Sequence, residues 1–406
     1  MKVPDIKAST LVVFAGGIQS LANIAFLSVC SKTYTTTDYS LVPLYFTLQG
    51  LSMIFCFQGM DSMINRAMLS NNYSFYRTAL VTSLKFASAF SLVLIAGLLT
   101  FHLVSPISEI YVILGLIVIL QVPISSLEKI ECGLLGLNKF NELILYKLLC
   151  SLVSISPLIG SLFNISILWI IGLIIFTRLI VIIISVLFLK NIISRMNNSE
   201  ESEDKFYINE AIKMSWLSGF ATLLNYVWPL LLFKIDPISL SVYFNGNKIP
   251  EKVKDYSKLF ISVPSQHWLK KGKDFFIEKI KEKGFIIFGA SLLFAAFLIV
   301  TAHLYIPFIF GTEYEKSIYI AQVILLGVPA RVLSAILQSR EIFHEDNTSF
   351  FRKSNYTLSI FNLILAAPMV YYFKEIGLAF HNLIMAYLSY LISYVRLKFF
   401  EKARMS

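Results

Sequence analysis

Long apolar runs separated by short polar connections recur along the whole chain. Examples lie at 11–30, 86–103, 165–189 and 285–310. The hydrocarbon core of a bilayer is ~30 Å thick, and about 20 consecutive apolar residues are needed for a helix to cross it. Backbone polar groups inside that core must be satisfied within the segment itself, which a helix achieves. The pattern therefore predicts an all-α polytopic membrane protein.

Twelve segments have the pattern expected of a membrane-spanning helix. They lie at 8–30, 39–60, 78–103, 107–127, 141–163, 166–190, 211–233, 255–269, 284–306, 317–338, 355–373 and 376–397. The eighth is the least regular of them, because it is short and carries Lys258 and His267. Whether this segment crosses the membrane has to be decided by other features of the sequence.

The distribution of Lys and Arg bears on that crossing. With both termini in the cytoplasm and twelve crossings, the cytoplasmic segments hold about three times as many basic residues as the outer connections. This arrangement makes 234–254 an outer connection. Omitting the eighth crossing would place the lysine-rich segment 270–283 outside and would invert every later connection. The positive-inside rule therefore favours twelve spans, a multi-pass topology and two cytoplasmic termini.

Two short sequence repeats indicate that the chain is built from two related halves. TFHLVSP at 100–106 closes the third predicted span, and TAHLYIP at 301–307 closes the ninth. The tripeptide DYS occurs at 38–40 and again at 255–257, where each copy is expected to open the second span of its half. Parallel repeats of this kind are typical of transporters whose halves are related by an axis along the membrane normal.

The fold predicted from these features has about 12 transmembrane helices in two six-helix lobes. The first lobe is expected at 1–195 and the second at 211–406, with a mixed-charge cytoplasmic linker at 196–210 between them. No segment is long enough to form an additional soluble domain.

Composition agrees with this class: 56% of residues are hydrophobic, 15% are charged and the mean hydropathy is +0.71. The formal charge of +10 is explained by basic cytoplasmic connections, so no nucleic-acid partner is expected. The four cysteines lack metal-ligand spacing, so neither a metal nor another cofactor is predicted. Hydrolase, phosphate-binding-loop and zinc-protease signatures are absent from the sequence, which favours a transporter over an enzyme.

Four cations at membrane depth are the candidate substrate-binding residues: Lys85, Lys147, Arg178 and Arg331. A charged side chain in hydrocarbon costs ~2.5–3.5 kcal/mol even on the lenient insertion scale, so such residues face a hydrated cavity or a partner. A cavity lined by them would attract a phosphate or pyrophosphate, which a guanidinium binds bidentately. The alternative for each cation is that it snorkels to the interface or forms an internal ion pair.

Two carboxylates are candidates for coupling transport to an ion gradient. Asp61 follows the second span, and Asp236 follows Lys234 at the end of the seventh. Each could bind a coupling proton or sodium ion, or could instead neutralise a nearby cation.

Three stretches resemble the polysaccharide transporter family, the O-antigen flippases of the multidrug/oligosaccharidyl-lipid/polysaccharide exporter superfamily. They are TTTDYSLVPLYFTLQGLSMIFCFQGMDSMINRAM (35–68), KID (234–236) and IPFIFGTEYEKSIYIAQVILLGVPARVLSAI (306–336). In the first, Tyr39–Ser40 opens the second span and Gly59 closes it. Arg66 follows a few residues later, and this arginine joins the candidate pyrophosphate-binding residues.

The resemblance implies a transporter of the bacterial inner membrane. Its substrate would be an undecaprenyl-pyrophosphate-linked oligosaccharide, the repeat unit of an O-antigen or capsule, carried from the inner to the outer leaflet by alternating access. Coupling to an ion gradient, contact with membrane lipids and cooperation with polysaccharide assembly proteins are implied in the same way. The first helix has no arginine, so contacts that a related lipid II flippase makes there do not transfer.

Two other functions fit the hydropathy pattern. An O-antigen polymerase or membrane glycosyltransferase usually has a large outer loop or an acidic pair in the first outer loop. Here that loop, SKTYTTTDYS, has one aspartate. A small-molecule exporter of the same superfamily is the other alternative, and the excess of cations at depth favours an anionic substrate over a cationic drug.

Overall fold

The computed structural model describes residues 6–69, 72–137, 139–193, 201–344 and 349–405. All regular secondary structure in these ranges is helical. The helices are α1 Ile6–Thr33, α2 Thr36–Tyr39, α3 Leu41–Ser52, α4 Gly59–Leu69, α5 Phe75–Val104, α6 Glu109–Ser126, α7 Ile130–Gly136, α8 Phe140–Leu162, α9 Ile167–Ile193, α10 Glu201–Ile235, α11 Pro237–Lys270, α12 Lys273–Phe310, α13 Ser317–Leu326, α14 Val328–His344 and α15 Ser349–Met405. The all-α polytopic fold predicted from the sequence is confirmed.

Ten stretches of the described chain are long and apolar enough to cross a membrane. One of them, Asn355–Val395, covers the predicted span 355–373 and all but the last two residues of the predicted span 376–397. Lys374 breaks α15 between these spans with a positive φ of 48°. A Cβ on Gly377 would lie 1.9 Å from the carbonyl oxygen of Met369, a residue that a continuous helix would place about 12 Å away. The chain therefore turns back sharply at Lys374, and α15 supplies two spans.

Helix α11 corrects the eighth predicted span. It runs for 34 residues, whereas the sequence predicted an outer connection at 234–254 and a short span at 255–269. At 1.5 Å per residue this helix is roughly 50 Å long, enough to cross the ~30 Å core. The prediction was wrong because the first half of α11 is polar but buried by protein. Asn245 is 0% exposed and Lys248 is 7% exposed.

The position of α11 also changes which residues of the two halves correspond. The second DYS copy, at 255–257, lies within α11 and does not open it, so that part of the prediction was wrong. The start of α11 at Pro237 instead lies 201 residues after Thr36, where α2 starts (36 to 237). The histidines of the longer repeat have the same separation (102 to 303). A single offset now relates the start of the second span and the end of the third in both halves.

Two spans in the first half are interrupted. Helix α3 is followed by a 3-10 turn at Met53–Cys56 and by Phe57, which has a left-handed backbone with φ 57°. Helix α6 is followed by a 3-10 turn at Leu127–Lys129. The ammonium of Lys129 donates a hydrogen bond to the carbonyl of Cys56 (2.9 Å). Because the break frees backbone acceptors in an apolar setting, this lysine stabilises the interruption of the second span.

Contacts divide the chain into two compact units. We call them the N-terminal unit (Thr10–Val227) and the C-terminal unit (Trp228–Ser406, with Met1–Ser9). The last ten residues of the predicted linker, 201–210, are helical and begin α10, while 196–200 lies outside the described residues. Asp204 accepts a hydrogen bond from Thr78 (2.7 Å), which fixes this extension to α5. The lobe limits 1–195 and 211–406 stay a prediction.

Candidate functional site

Three ion pairs of the N-terminal unit meet at the turn between α6 and α7. Glu128 and Lys129 of this turn and Glu131 at the start of α7 each contact an opposite charge from a different helix, namely α9, α4 and α8. We call these residues the charged turn: Asp61, Glu128, Lys129, Glu131, Lys147 and Arg178. Their formal charges cancel, so the cluster as a whole is neutral.

Arg178 forms the ion pair that joins α9 to the turn. Its Nε and Nη2 both contact Oε1 of Glu128, and its side chain is only 12% exposed. A buried charge without a partner costs several kcal/mol, and the contact with Glu128 offsets part of that cost. The structure thus contains the internal ion pair that was the alternative to pyrophosphate binding. A phosphate at Arg178 has to compete with Glu128, and the binding role remains a prediction.

The other two pairs also join separate elements of the N-terminal unit. The Lys147 ammonium lies 2.6 Å from a carboxylate oxygen of Glu131, and the Lys129 ammonium lies 3.0 Å from one of Asp61. For Lys147 and Asp61, therefore, the neutralising contacts weighed in the sequence analysis are present. Their roles in substrate binding and ion coupling stay predictions.

A cavity of about 150 Å³ lies beside the Arg178–Glu128 pair within the N-terminal unit. Its lining comes from α1, α3, α8 and α9 together with Glu128. The uncharged polar residues of the lining are Gln19, Asn23, Gln49, Tyr146 and Ser154. The cavity is smaller than the ~300–1,000 Å³ pockets that hold drug-sized molecules. It therefore fits one small polar group.

The C-terminal unit contains a second kind of cation site. Arg331 of α14 donates through Nη2 to the backbone carbonyl of Asn382 (3.1 Å) and to its side-chain oxygen (3.3 Å). The Asn382 amide in turn donates to the hydroxyl of Tyr243. His381, next to Asn382, is 3% exposed, and neither ring nitrogen has a hydrogen-bond partner among the described residues. We call Tyr243, Arg331, His381 and Asn382 the C-terminal cation site.

Charge compensation distinguishes Arg331 from the cations of the charged turn. Within the described ranges, no carboxylate lies at ion-pair distance from Arg331. Two acidic residues of α11 influence its charge, but each contacts a lysine: Glu251 contacts Lys248 (3.4 Å) and Asp255 contacts Lys254 (3.6 Å). Nε and Nη1 of Arg331 make no hydrogen bond to any described residue. Nε and Nη1 lie on different edges of the guanidinium, and Nη2 belongs to both edges, so each of the two can donate a single hydrogen bond to a carboxylate or phosphate oxygen.

Two further predicted cations lie apart from these clusters. Lys85 is exposed on α5, and the guanidinium of Arg66 lies 5.8 Å from the ring centre of Phe206 on α10. In the part of the chain that the structure describes, no hydrogen bond or ion pair joins either residue to the charged turn. Their predicted contact with pyrophosphate is not tested by these positions.

Asp236 caps the N-terminus of α11. It accepts hydrogen bonds from the amide of Ile238 (3.0 Å) and the hydroxyl of Ser239 (2.8 Å), and it lies 3.8 Å from the Lys374 ammonium. Partial burial alone would raise the pKa of Asp236, but these hydrogen bonds and the lysine outweigh it and lower the pKa below its ordinary value. Asp236 is thus a charged helix cap, and its coupling role stays a prediction.

His381 and Asn382 were missed by the sequence analysis. Their signal was an adjacent pair of polar residues within the apolar run AFHNLIM. Each polar side chain inside a span needs a partner, so the pair could have been read as a contact for a cation on another helix. The identity of that cation, Arg331, depends on how α14 and α15 pack.

No protein-family model matches the chain, and no curated protein is similar to it. Solved structures with the same fold are found. A MATE transporter in the straight conformation is 14% identical, with a TM-score of 0.69 over 98% of this chain and 96% of that one. The eukaryotic MATE transporter AtDTX14 is 12% identical, with a TM-score of 0.68 over 97% and 96%.

A third structure with this fold is a MOP-superfamily transporter from Pyrococcus furiosus described as having a binding pocket of reversed polarity. It is 12% identical, with a TM-score of 0.66 over 99% of this chain and 96% of that one. Together these likenesses define the class of structure. The chain has the fold of the MATE transporters of the MOP superfamily.

Proposed function

We propose that the protein is a membrane transporter that carries undecaprenyl-pyrophosphate-linked oligosaccharide from the inner to the outer leaflet of the bacterial inner membrane. Transport proceeds by alternating access, and the partners of the protein are membrane lipids and polysaccharide assembly proteins. The observation that carries this proposal is Arg331, a partly buried cation with free guanidinium donors and no carboxylate partner among the described residues. The MATE fold supports the transporter class.

An anionic head group fits the C-terminal cation site better than a cationic drug does. A desolvated guanidinium repels cations and forms charge-assisted hydrogen bonds with an oxyanion. His381 adds ring nitrogens that have no protein partner among the described residues, so one of them can donate to a phosphate oxygen. The pyrophosphate of the carrier lipid is an oxyanion of this kind.

The remaining predicted residues have supporting roles in this proposal. Arg178 and Lys147 attract the same head group only when it displaces Glu128 or Glu131. Asp61 is the stronger candidate for proton or sodium coupling, because its side chain is 45% exposed. Asp236 already has several hydrogen-bond donors as a helix cap.

A small-molecule exporter is the second candidate, favoured by the fold likeness to MATE transporters. The two functions differ in what the site must neutralise. An exporter of cationic drugs is expected to present a carboxylate to its substrate, whereas the described charge of the C-terminal cation site is a guanidinium with no carboxylate at ion-pair distance. The charge of the site therefore favours the lipid-linked anion.

Deletion of the gene followed by analysis of lipid-linked intermediates tests the proposal. Complete repeat units should accumulate on the cytoplasmic face, and surface polysaccharide should be lost. Unpolymerised units on the outer face would indicate a polymerase, and incomplete units would indicate a glycosyltransferase. Normal polysaccharide with increased drug sensitivity would select the exporter.

Complementation of the deletion assigns the role of Arg331. Arg331→Ala should fail to restore the polysaccharide although the protein is present, and Arg331→Lys should restore part of it because the charge is kept. Arg77→Ala, which removes an exposed arginine of α5, is the matched control and should complement fully. Full complementation by Arg331→Ala would overturn the role.

A further inference from the structure

We infer that the cavity of the N-terminal unit binds a neutral, polyhydroxylated group with the chemistry of a sugar ring. The inference rests on the proposed function and deepens it, since it assigns the glycan of the carried lipid to this cavity. Four properties of the cavity support it: its hydrogen-bonding groups, its charge, its size and its apolar walls.

The hydrogen-bonding groups match those of a sugar. Gln19, Asn23 and Gln49 each present a carboxamide with both donors and an acceptor, and Ser154 adds a hydroxyl. Sugar hydroxyls also donate and accept, so neighbouring ring hydroxyls can bind such amides in pairs. The side-chain oxygen of Asn23 is buried and has no hydrogen-bond partner among the described residues. A buried acceptor of this kind favours a ligand that brings a donor.

The charge of the cavity argues against an ionic ligand. Its charged groups, Arg178 and Glu128, already contact each other. A cation would have to compete with Arg178 for the carboxylate, and an anion would have to compete with Glu128 for the guanidinium. Either exchange leaves one charge of the pair poorly compensated, which is unfavourable in a partly buried site. A neutral polar group avoids both penalties and can still accept or donate hydrogen bonds to the pair.

The size of the cavity and its apolar walls further restrict which ligands fit. A volume of about 150 Å³ is below the ~300–1,000 Å³ of pockets that hold drug-sized molecules, so the cavity suits one small ring and not an oligosaccharide. Phe46 and Pro157 form apolar parts of the wall. The two faces of a pyranose ring carry C–H groups that pack on such surfaces, while its hydroxyls point outward to the amides.

A cysteine of the cavity provides the test. The four cysteines are free, and Cys150 lines the cavity. In the variant Cys30→Ala/Cys56→Ala/Cys132→Ala, the neutral reagent methyl methanethiosulfonate reports on Cys150 alone. The protein is held in nanodiscs, and glucose, galactose, N-acetylglucosamine or rhamnose is added. Glycerol and inorganic pyrophosphate are added separately as controls.

At least one sugar should slow the modification by about fivefold when its concentration is about four times its dissociation constant, because protection rises as 1 + [L]/Kd. Glycerol should not slow it, and pyrophosphate should slow it less than the sugar does, because it has to displace Glu128 from Arg178. Adding Gln19→Met/Gln49→Met should abolish the protection, since methionine keeps the volume and removes the amides. Gln322→Met is the matched control in the C-terminal unit and should keep it. Equal slowing by glycerol, no slowing by any sugar, or protection that survives the double substitution would overturn the inference.

Saturation-transfer NMR of the same sugars with wild-type nanodiscs gives an answer that does not depend on thiol reactivity. Transfer to at least one sugar is expected, with loss in the Gln19→Met/Gln49→Met variant. Absence of transfer to every sugar would mean that the cavity holds only water. The proposed function fails separately, through normal lipid-linked intermediates after deletion, whatever the outcome at this cavity.

Discussion

Single residues show how differently the two units treat a cation at membrane depth. Arg178 contacts a carboxylate, whereas the described partner of Arg331 is an amide residue, Asn382. Breaking a buried ion pair is costly because the remaining charge is uncompensated. A cation held only by an amide and a carbonyl retains its net charge for a ligand. The ion pair of Arg178 therefore stabilises the fold, whereas the arrangement of Arg331 suits the binding of an anion.

Replacement of Glu128 tests the structural role of its ion pair. Glu128→Gln should destabilise the protein by on the order of 2 kcal/mol, since Arg178 loses a charged hydrogen-bond acceptor. Adding Arg178→Met should recover part of the loss, because no unpaired guanidinium remains. Thermal unfolding in detergent measures both. Additive effects of the two substitutions would show that the pair is not coupled.

Asp236 gives a prediction with a pH dependence. Asp236→Ala should cost ~1 kcal/mol by removing the cap of α11, and Asp236→Asn should cost less because its oxygen still accepts. Since the pKa of Asp236 is lowered, its stabilising charge is complete at neutral pH and is lost as the pH falls below ~4. The stability difference between wild type and Asp236→Ala should shrink there.

The same substitutions separate capping from ion coupling. If Asp236 acts as a cap, Asp236→Asn keeps transport. Loss of transport by a stable Asp236→Asn protein would instead establish the coupling role. A stability difference that does not change with pH would contradict the charged cap.

Among the helices, α11 is the one whose extent the sequence did not predict. Eleven spans were predictable because lipid-facing helices must be apolar all along their length. Helix α11 does not follow this rule, because protein surrounds its polar half, which includes the fully buried Asn245. Its N-terminal signal was nevertheless present in the sequence, since Asp236 followed by Pro237 is a typical cap and first residue.

The packing of α11 against α13 can be tested through a glycine. A Cβ on Gly246 would lie 2.6 Å from Cβ of Ile320 and 2.7 Å from the carbonyl oxygen of Ser317. Gly246→Ala should therefore destabilise the protein by ~1–3 kcal/mol through overpacking. Gly289 of α12 has nothing within 4 Å of such a Cβ. Gly289→Ala is the control, expected to be neutral or slightly stabilising. Equal melting temperatures for both variants would contradict the contact.

The candidate site was predictable only in part. The cations themselves stand out in the sequence, because charge is rare within spans. Their partners do not, since Glu128 and Arg178 are 50 residues apart and contact each other only after α6 and α9 pack. His381 and Asn382 were overlooked because two polar residues in one apolar run give no periodic signal.

For the whole molecule, the constant offset of 201 residues (36 to 237 and 102 to 303) supports a chain built twice. Such a chain requires that α11 crosses the membrane, as the second span of the second half. With the termini in the cytoplasm, as the positive-inside rule predicts, the crossing would put the lysine-rich start of α12 on the cytoplasmic side.

Site-directed labelling tests this crossing. In a cysteine-free background, Lys234→Cys precedes α11 and Lys271→Cys follows it. An impermeant maleimide added to intact cells should label the first position only, and labelling of the second should require opened membranes. Labelling of both positions from the same side would show that α11 does not cross.

Binding of the carrier lipid is the most direct measurement of the central claim, that the C-terminal cation site holds a pyrophosphate head. Native mass spectrometry compares undecaprenyl pyrophosphate with undecaprenol, which has the same tail and no charge. Wild type and Arg77→Ala should prefer the pyrophosphate by at least about tenfold, equivalent to ~1.4 kcal/mol, and Arg331→Ala should lose most of that preference. Equal binding of the two lipids by wild type, or an undiminished preference in Arg331→Ala, would contradict it.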